Sequence, residues 1–153
     1  MTKESKARRR TLDDLTQEMI AADAGFKQAW DALEAKRKIV ASLLRLRAKA
    51  DFTQKELAER AGWHPSFVCR LESFPREGEQ LYMPDLQTLM VYAQVCGSNL
   101  AMMFGEAEAG GLHITESVSL SSDARFAQAV GALADTSFDI DEEQVLSVEH
   151  STA

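Results

Sequence analysis

The stretch TQKELAERAGWHPSFVCRLES, Thr53 to Ser73, constrains this chain more than any other part of it. Thr53 followed three residues later by Glu56 is a capping box, the signature of a helix start. Gly62 closes that helix, because glycine enters the left-handed conformation without steric cost. Pro65 suits the first turn of a second helix. Two short helices must therefore meet across the hinge Ala61-Gly62-Trp63. Leu57, Ala58, Val68 and Leu71 form the side that locks the pair to a core, with Phe67 beside them, and small Ala58 permits close approach. Ser66, Cys69 and Arg70 fall on the other side.

Helical signals flank this pair. Leu12, Leu15, Met19 and Ala22 keep helical spacing after a cap at Thr11 or Asp13, and Gly25 is expected to interrupt. Phe26, Ala29, Trp30 and Leu33 then make one helical face, and the pattern runs on through Ile39, Val40, Leu43, Leu44 and Leu46, predicting a helix over about 26–49. SFPREGEQLYMP is a loop. DLQTLMVYAQVCG is a helix capped by Asp85 and stopped by Gly97, with Leu86, Leu89, Met90 and Ala93 inward. NLAMMF is a short strand or an extended close to the core. GEAEAGG is a linker, LHITESVSL alternates as a strand does, and DARFAQAVGALAD is a short amphipathic helix. The acidic end DIDEEQVLSVEHSTA is a frayed, solubilising tail. The expected organisation is a basic disordered arm over 1–10, a helical extension over 11–35, a helical domain over 36–104 and an acidic extension over 105–153.

Net charge is −7 over 153 residues, but the charge is unevenly placed. Residues 36–76 hold ten Lys/Arg against four Asp/Glu, a local +6, whereas residues 105–153 hold one Arg against ten acidic residues, a local −9. A local basic patch, not whole-chain charge, governs binding to phosphates. Lys36-Arg37-Lys38 reads as a solvated face, while Arg45, Arg47, Lys49 and Lys55 lie nearer the pair of helices. Cys69 and Cys96 make neither a metal pattern nor a disulfide framework. His64 with Cys69 supplies two ligands, where zinc takes three or four; His113 and His150 read as surface residues. No metal or other cofactor is expected. No nucleophile–base arrangement, paired acids or glycine-rich phosphate loop points to an enzyme. No apolar run approaches a membrane span, and no signal segment follows MTKESKARRR, so a cytosolic protein is expected.

A tight helical pair with an outward second helix is the geometry of a helix–turn–helix, whose second helix enters the major groove. TQKELAERAG followed by SFVCRLES closely resembles the Xre/Cro/C1 family of phage-repressor-like proteins. It does so through Thr53-Gln54, Gly62, Ser66-Phe67-Val68 and Leu71-Glu72, within a match over roughly 37–104. The resemblance implies a mainly α fold with a five-helix DNA-binding domain, and double-stranded operator DNA bound by a homodimer. It implies that Pro65, Ser66 and Arg70 lie at base edges, with Cys69 flanking. Arg70 suits guanine, whose O6 and N7 accept together. Trp63-His64-Pro65 replaces the family's small polar residues; Pro65 has no N–H, so reading at that end is apolar or falls to His64. Gln54, at a helix N-terminus that is itself an anion site, matches a phosphate-binding glutamine. Thr53, Lys49, Lys55, Ser73, Arg76 and Arg47 complete the expected phosphate contacts. Arg47 and Glu72 match a bracing ion pair.

A narrower resemblance is to HigA-type antitoxins, in FKQAWDALEAKRKIVASLLRLRAKADFTQKELAERAG and MPDLQTLMVYAQVCGSNLAMMF. It implies a protein that neutralises a small basic ribonuclease toxin encoded beside it and represses their shared promoter. The extension after Gly105 is not part of that pattern. The alternative is a stand-alone Xre-type regulator whose 112–135 region dimerises or senses. A protein-interaction module without DNA binding is a further one.

Overall fold

A computed structural model describes residues 10–76 and 78–139. The arm up to residue 9 and the tail from 140, His150 included, lie outside the described residues. Among the described residues six helices and three strands follow one another. Helix α1 (Leu12–Ala22) opens with Thr11, whose side chain and that of Asp14 form a reciprocal capping box. It stops at Asp23, not Gly25. Asp23 takes an extended conformation (φ −134°, ψ 111°) and its Oδ1 accepts from the N–H groups of Gly25 (2.8 Å) and Phe26 (3.1 Å). A carboxylate that satisfies two orphan donors starts a helix more firmly than a glycine ends one, so Gly25 lies inside α2 (Ala24–Lys49). At 26 residues, α2 is about 39 Å long.

Helices α3 (Gln54–Ala61), α4 (Pro65–Leu71) and α5 (Leu86–Val95) share one core with the second half of α2. The core is Leu43, Leu57, Ala58, Val68, Leu71 and Tyr92, ringed by Ile39, Leu46, Phe52, Trp63, Phe67, Tyr82 and Leu89. Gly62 turns the chain between α3 and α4 at φ 71°. Among the described residues, 36–104 holds the second half of α2 with α3, α4 and α5, and the chain after Gly97 enters a strand. On α5 the buried face is Tyr92 and Ala93, and Leu86 is 46% exposed, contrary to its expected inward place.

Strand β1 (Ala101–Glu108) runs through most of the segment that reads as a linker, across the expected boundary at 104/105. It pairs antiparallel with β2 (Gly111–Ser119), which pairs with β3 (Thr136–Asp139), in the order β1-β2-β3. A Cβ at Gly105 would lie 2.7 Å from the His113 carbonyl oxygen, so this glycine belongs to a closely approached strand, not a flexible spacer. The register slips between Phe104 and Gly105, which leaves Thr115 as the extra residue of a bulge on β2. One extra residue flips the alternation: Ile114 and Ser117 are buried, and Val118 is exposed. Helix α6 (Ala124–Gly131) packs on β2, with Val130 buried and its carbonyl accepting from Ser117 Oγ at 2.7 Å. Among its described residues the extension thus takes part in a small three-stranded sheet with one helix, more than the single strand and helix expected.

Candidate functional site

The C-terminus of α4 is the most densely bonded place in the helical unit. Glu72, directly after the helix, has a side chain only 2% exposed. Its Oε1 accepts from Arg47 Nε (2.8 Å) and from the Tyr92 hydroxyl (2.6 Å). Its Oε2 accepts from Arg47 Nη2 (2.8 Å) and Gln54 Nε2 (2.8 Å). Arg47 Nη1 donates to the Phe52 carbonyl at 2.9 Å. Bidentate pairing of this kind is both strong and directional. Burial alone would raise the Glu72 carboxyl, but the hydrogen bonds from Arg47, Tyr92 and Gln54 outweigh it and hold it below the ordinary glutamate value. Burial and the neighbouring carboxylate push the Tyr92 hydroxyl well up. The hydrogen bond to Glu72 raises Arg47 further. One carboxylate thus ties α2, α3, α4 and α5 together.

A second tie lies one residue back. Lys36 is 1% exposed, and its Nζ donates to the Leu71 carbonyl at 2.9 Å. Leu71 ends α4, so its carbonyl has no partner within the helix, and a cation there also meets the negative end of the helix dipole. Burial lowers the Lys36 pKa. The expectation that Lys36 belongs to a solvated basic face fails; Arg37 and Lys38 remain exposed.

The opposite side of α4 is free of the core. Pro65, Ser66, Cys69 and Arg70 are exposed, as is His64 before them. His64 caps the helix: its Nδ1 accepts from the Ser66 N–H at 3.3 Å and lies 2.7 Å from Ser66 Oγ. The Arg70 guanidinium sits 5.0 Å from the Tyr82 ring centroid and 5.5 Å from that of Phe67. Ser66, Cys69, Arg70, Ser73 and Arg76 line one open groove of about 450 Å³ beside the 73–84 loop. Lys49, Thr53, Lys55, Ser73 and Arg76 are exposed, Lys55 lying 3.9 Å from Glu59. Thr53 Oγ1 accepts from the Glu56 N–H at 3.2 Å, so the capping box that starts α3 is formed. Two expected phosphate contacts, Arg47 and Gln54, spend their side chains largely on Glu72, leaving the N–H groups of Arg47 that point away from the carboxylate and the α3 N-terminus itself. Among the described residues no group of three or more His, Cys, Asp or Glu could hold a metal ion, and no helix is long and apolar enough to cross a membrane.

Sequence reasoning passed over Tyr92, Tyr82 and the burial of Lys36. Tyr92 had a readable signal: Leu89, Tyr92, Ala93 and Cys96 recur at i, i+3, i+4 and i+7. Tyr82 and Lys36 had none, since their partners are far along the chain.

Among curated proteins the chain resembles antitoxin HigA1 of Mycobacterium tuberculosis, in strains CDC 1551 and H37Rv alike. Identity is 33% over 86 residues, covering 56% of this chain and 54% of the relative. The chain thus spans about half the length of the curated relatives it matches. No family model matches it, and no solved structure does.

Proposed function

We propose that this chain is the antitoxin of a toxin–antitoxin pair and a sequence-specific repressor of its own promoter, acting without catalysis in the cytoplasm. The observation that carries the antitoxin half is the 33% identity to antitoxin HigA1. The DNA-binding half rests on the α3–α4 pair, read as a helix–turn–helix within the domain 36–104. Its second helix keeps one face in the core and leaves Ser66, Cys69 and Arg70 outward. In this reading α4 enters the major groove, Arg70 bonds a guanine, and His64, Pro65, Ser66 and Cys69 line the remaining base edges. Lys49, Thr53, Lys55, Ser73 and Arg76, with the N-terminus of α3, face phosphates. Arg47 and Gln54 contribute chiefly by fixing α4 through Glu72. A homodimer would set two such helices on half-sites about 34–36 Å apart.

A stand-alone regulator is the second reading. It is favoured by the sheet and helix over 101–139, a folded element suited to dimerisation or sensing. Affinity purification from the native host after nuclease treatment separates the two. Stoichiometric recovery of a small basic protein encoded next to the gene is expected for the antitoxin. A clean homodimer, with normal growth after the gene is deleted, would overturn that half. A gel shift on promoter fragments across a salt series tests the DNA half. With six or more phosphate contacts, affinity should fall about a thousandfold or more between roughly 50 and 200 mM salt. Absence of a shift at any salt concentration would refute it.

A further inference from the structure

Arg70 stands on the exposed face of α4, and among the described residues no carboxylate lies within ion-pair distance of it. Two aromatic rings hold it instead. Phe67 lies one turn back on the same helix, with its centroid 5.5 Å from the guanidinium carbon. Tyr82 comes from the loop between α4 and α5 and lies closer, at 5.0 Å. Tyr82 is itself anchored: it is half-buried, meets Phe67 edge-on at 6.1 Å and 68°, and has the buried Lys36 Nζ 5.7 Å from its centroid. Both ring contacts with Arg70 fall within the ~6 Å reach of a cation–π interaction.

We propose that Tyr82 is a positioning residue for Arg70, holding the guanidinium in place and thereby setting discrimination at the base pair that Arg70 reads. This rests on the DNA-binding reading above. A guanidinium donates from its edges in its own plane and stacks through its face. It can therefore keep a ring on one face while two N–H groups meet guanine O6 and N7. An exposed arginine with no such support must surrender its rotamer freedom on binding. That ordering of one long side chain is worth about twofold to tenfold in affinity. Because the loss falls on the correct duplex and not on duplexes where Arg70 makes no base contact, removing the ring lowers discrimination. It leaves phosphate contacts alone.

The test uses the full chain. A preferred duplex is first selected from a random pool. Fluorescence anisotropy then measures affinity for that duplex and for each single base-pair substitution of it, with the wild type, Arg70→Ala, Tyr82→Ala, Tyr82→Leu and Tyr82→Phe. Tyr82→Ala should weaken preference by about threefold to tenfold, at the same position that Arg70→Ala flattens. Tyr82→Phe should restore it, and the salt slope should not change. Arg70→Ala combined with Tyr82→Ala should be no worse than Arg70→Ala. Tyr82→Leu fills the site without a π face and serves where the alanine variant loses its helical circular dichroism. Undiminished preference in the folded Tyr82→Ala or Tyr82→Leu variant, or an equal loss on every duplex, would overturn the proposal alone. Failure of the wild type to enrich any duplex would overturn the DNA-binding reading and the proposal with it.

Discussion

Glu72→Gln exchanges one carboxylate oxygen for an amide nitrogen, yet the surroundings of Glu72 make this a severe change. Four donors converge on the two oxygens: Arg47 Nε and the Tyr92 hydroxyl on Oε1, Arg47 Nη2 and Gln54 Nε2 on Oε2. A glutamine offers one oxygen, so in either amide orientation its NH₂ faces an Arg47 N–H that cannot accept, although Tyr92 can turn its proton to the Leu43 carbonyl and Gln54 can turn its amide. Removing one partner of a buried ion pair costs about 3–5 kcal/mol. Arg47 keeps the Phe52 carbonyl and is 20% exposed, which places the expected cost near the lower end, about 3 kcal/mol. At about 2–4 °C per kcal/mol for a chain of this size, Tm should fall by about 6–12 °C at neutral pH. The assay is thermal unfolding followed by far-UV circular dichroism over a pH series. The folded-state carboxyl is held below the ordinary value of 4.5, so the unfolded chain binds more protons in acid. The stabilisation is therefore complete above about pH 4.5 and is lost as pH falls through the lower folded-state value. The variant should lack that part of the acid limb. A neutral-pH loss below about 2 °C, with the acid limb intact, would refute the brace.

Three further outcomes follow from the same geometry. Gly62→Ala meets no atom within 4 Å of the added Cβ, so its cost is the left-handed backbone alone, about 1–2 kcal/mol, read from the urea midpoint at unchanged slope. Lys36 has its pKa lowered by burial, so at alkaline pH the unfolded chain binds more protons than the folded one. Stability should therefore rise as pH climbs through the folded-state value, and Lys36→Met should lack this rise in urea titrations at alkaline pH. On the proposed DNA-binding reading, Arg70→Ala should cost about 1–3 kcal/mol on the preferred duplex and relax one base pair, as measured by anisotropy; unchanged base preference would refute that role for Arg70.

The α3–α4 pair was legible because its signals are local. A capping box, a glycine and a first-turn proline each act within four residues, and they set which way Val68 and Arg70 face. What the sequence hid depends on distant partners. Lys36 stands in the basic run Lys36-Arg37-Lys38, and only the Leu71 carbonyl, 35 residues on, tells it apart from its neighbours. GEAEAGG has the composition of a linker, but its glycine and small residues let β2 come close, and that pairing lies outside any local window. The bulge at Thr115 reversed the faces of a strand whose alternation looked regular. At Asp23 two local signals compete, the cap and the glycine two residues on. A glycine inside a helix costs about 1 kcal/mol, which does not outweigh a side chain that satisfies two orphan donors.

The two ties at the end of α4 explain why a helix of only seven residues can present a fixed face. So short a helix has almost no stability of its own, and its core contacts, Val68 and Leu71, would still allow it to roll about its axis. Lys36 holds the Leu71 carbonyl and Arg47 holds the Glu72 carboxylate. Both come from α2, eleven residues apart, and so about 16 Å apart along one rigid helix. Two anchors on one rod restrict rotation where a single anchor would act as a pivot. Tyr82 packs against Phe67 and lies near Lys36, so the loop that holds Arg70 is referred to the same rod. A reading arginine must be placed within about half an ångström to favour one base over another. In the proposed DNA-binding reading, long polar side chains reaching from α2, rather than a longer α4, supply that placement. The exposed face of α4 can then change its residues without disturbing what holds the helix.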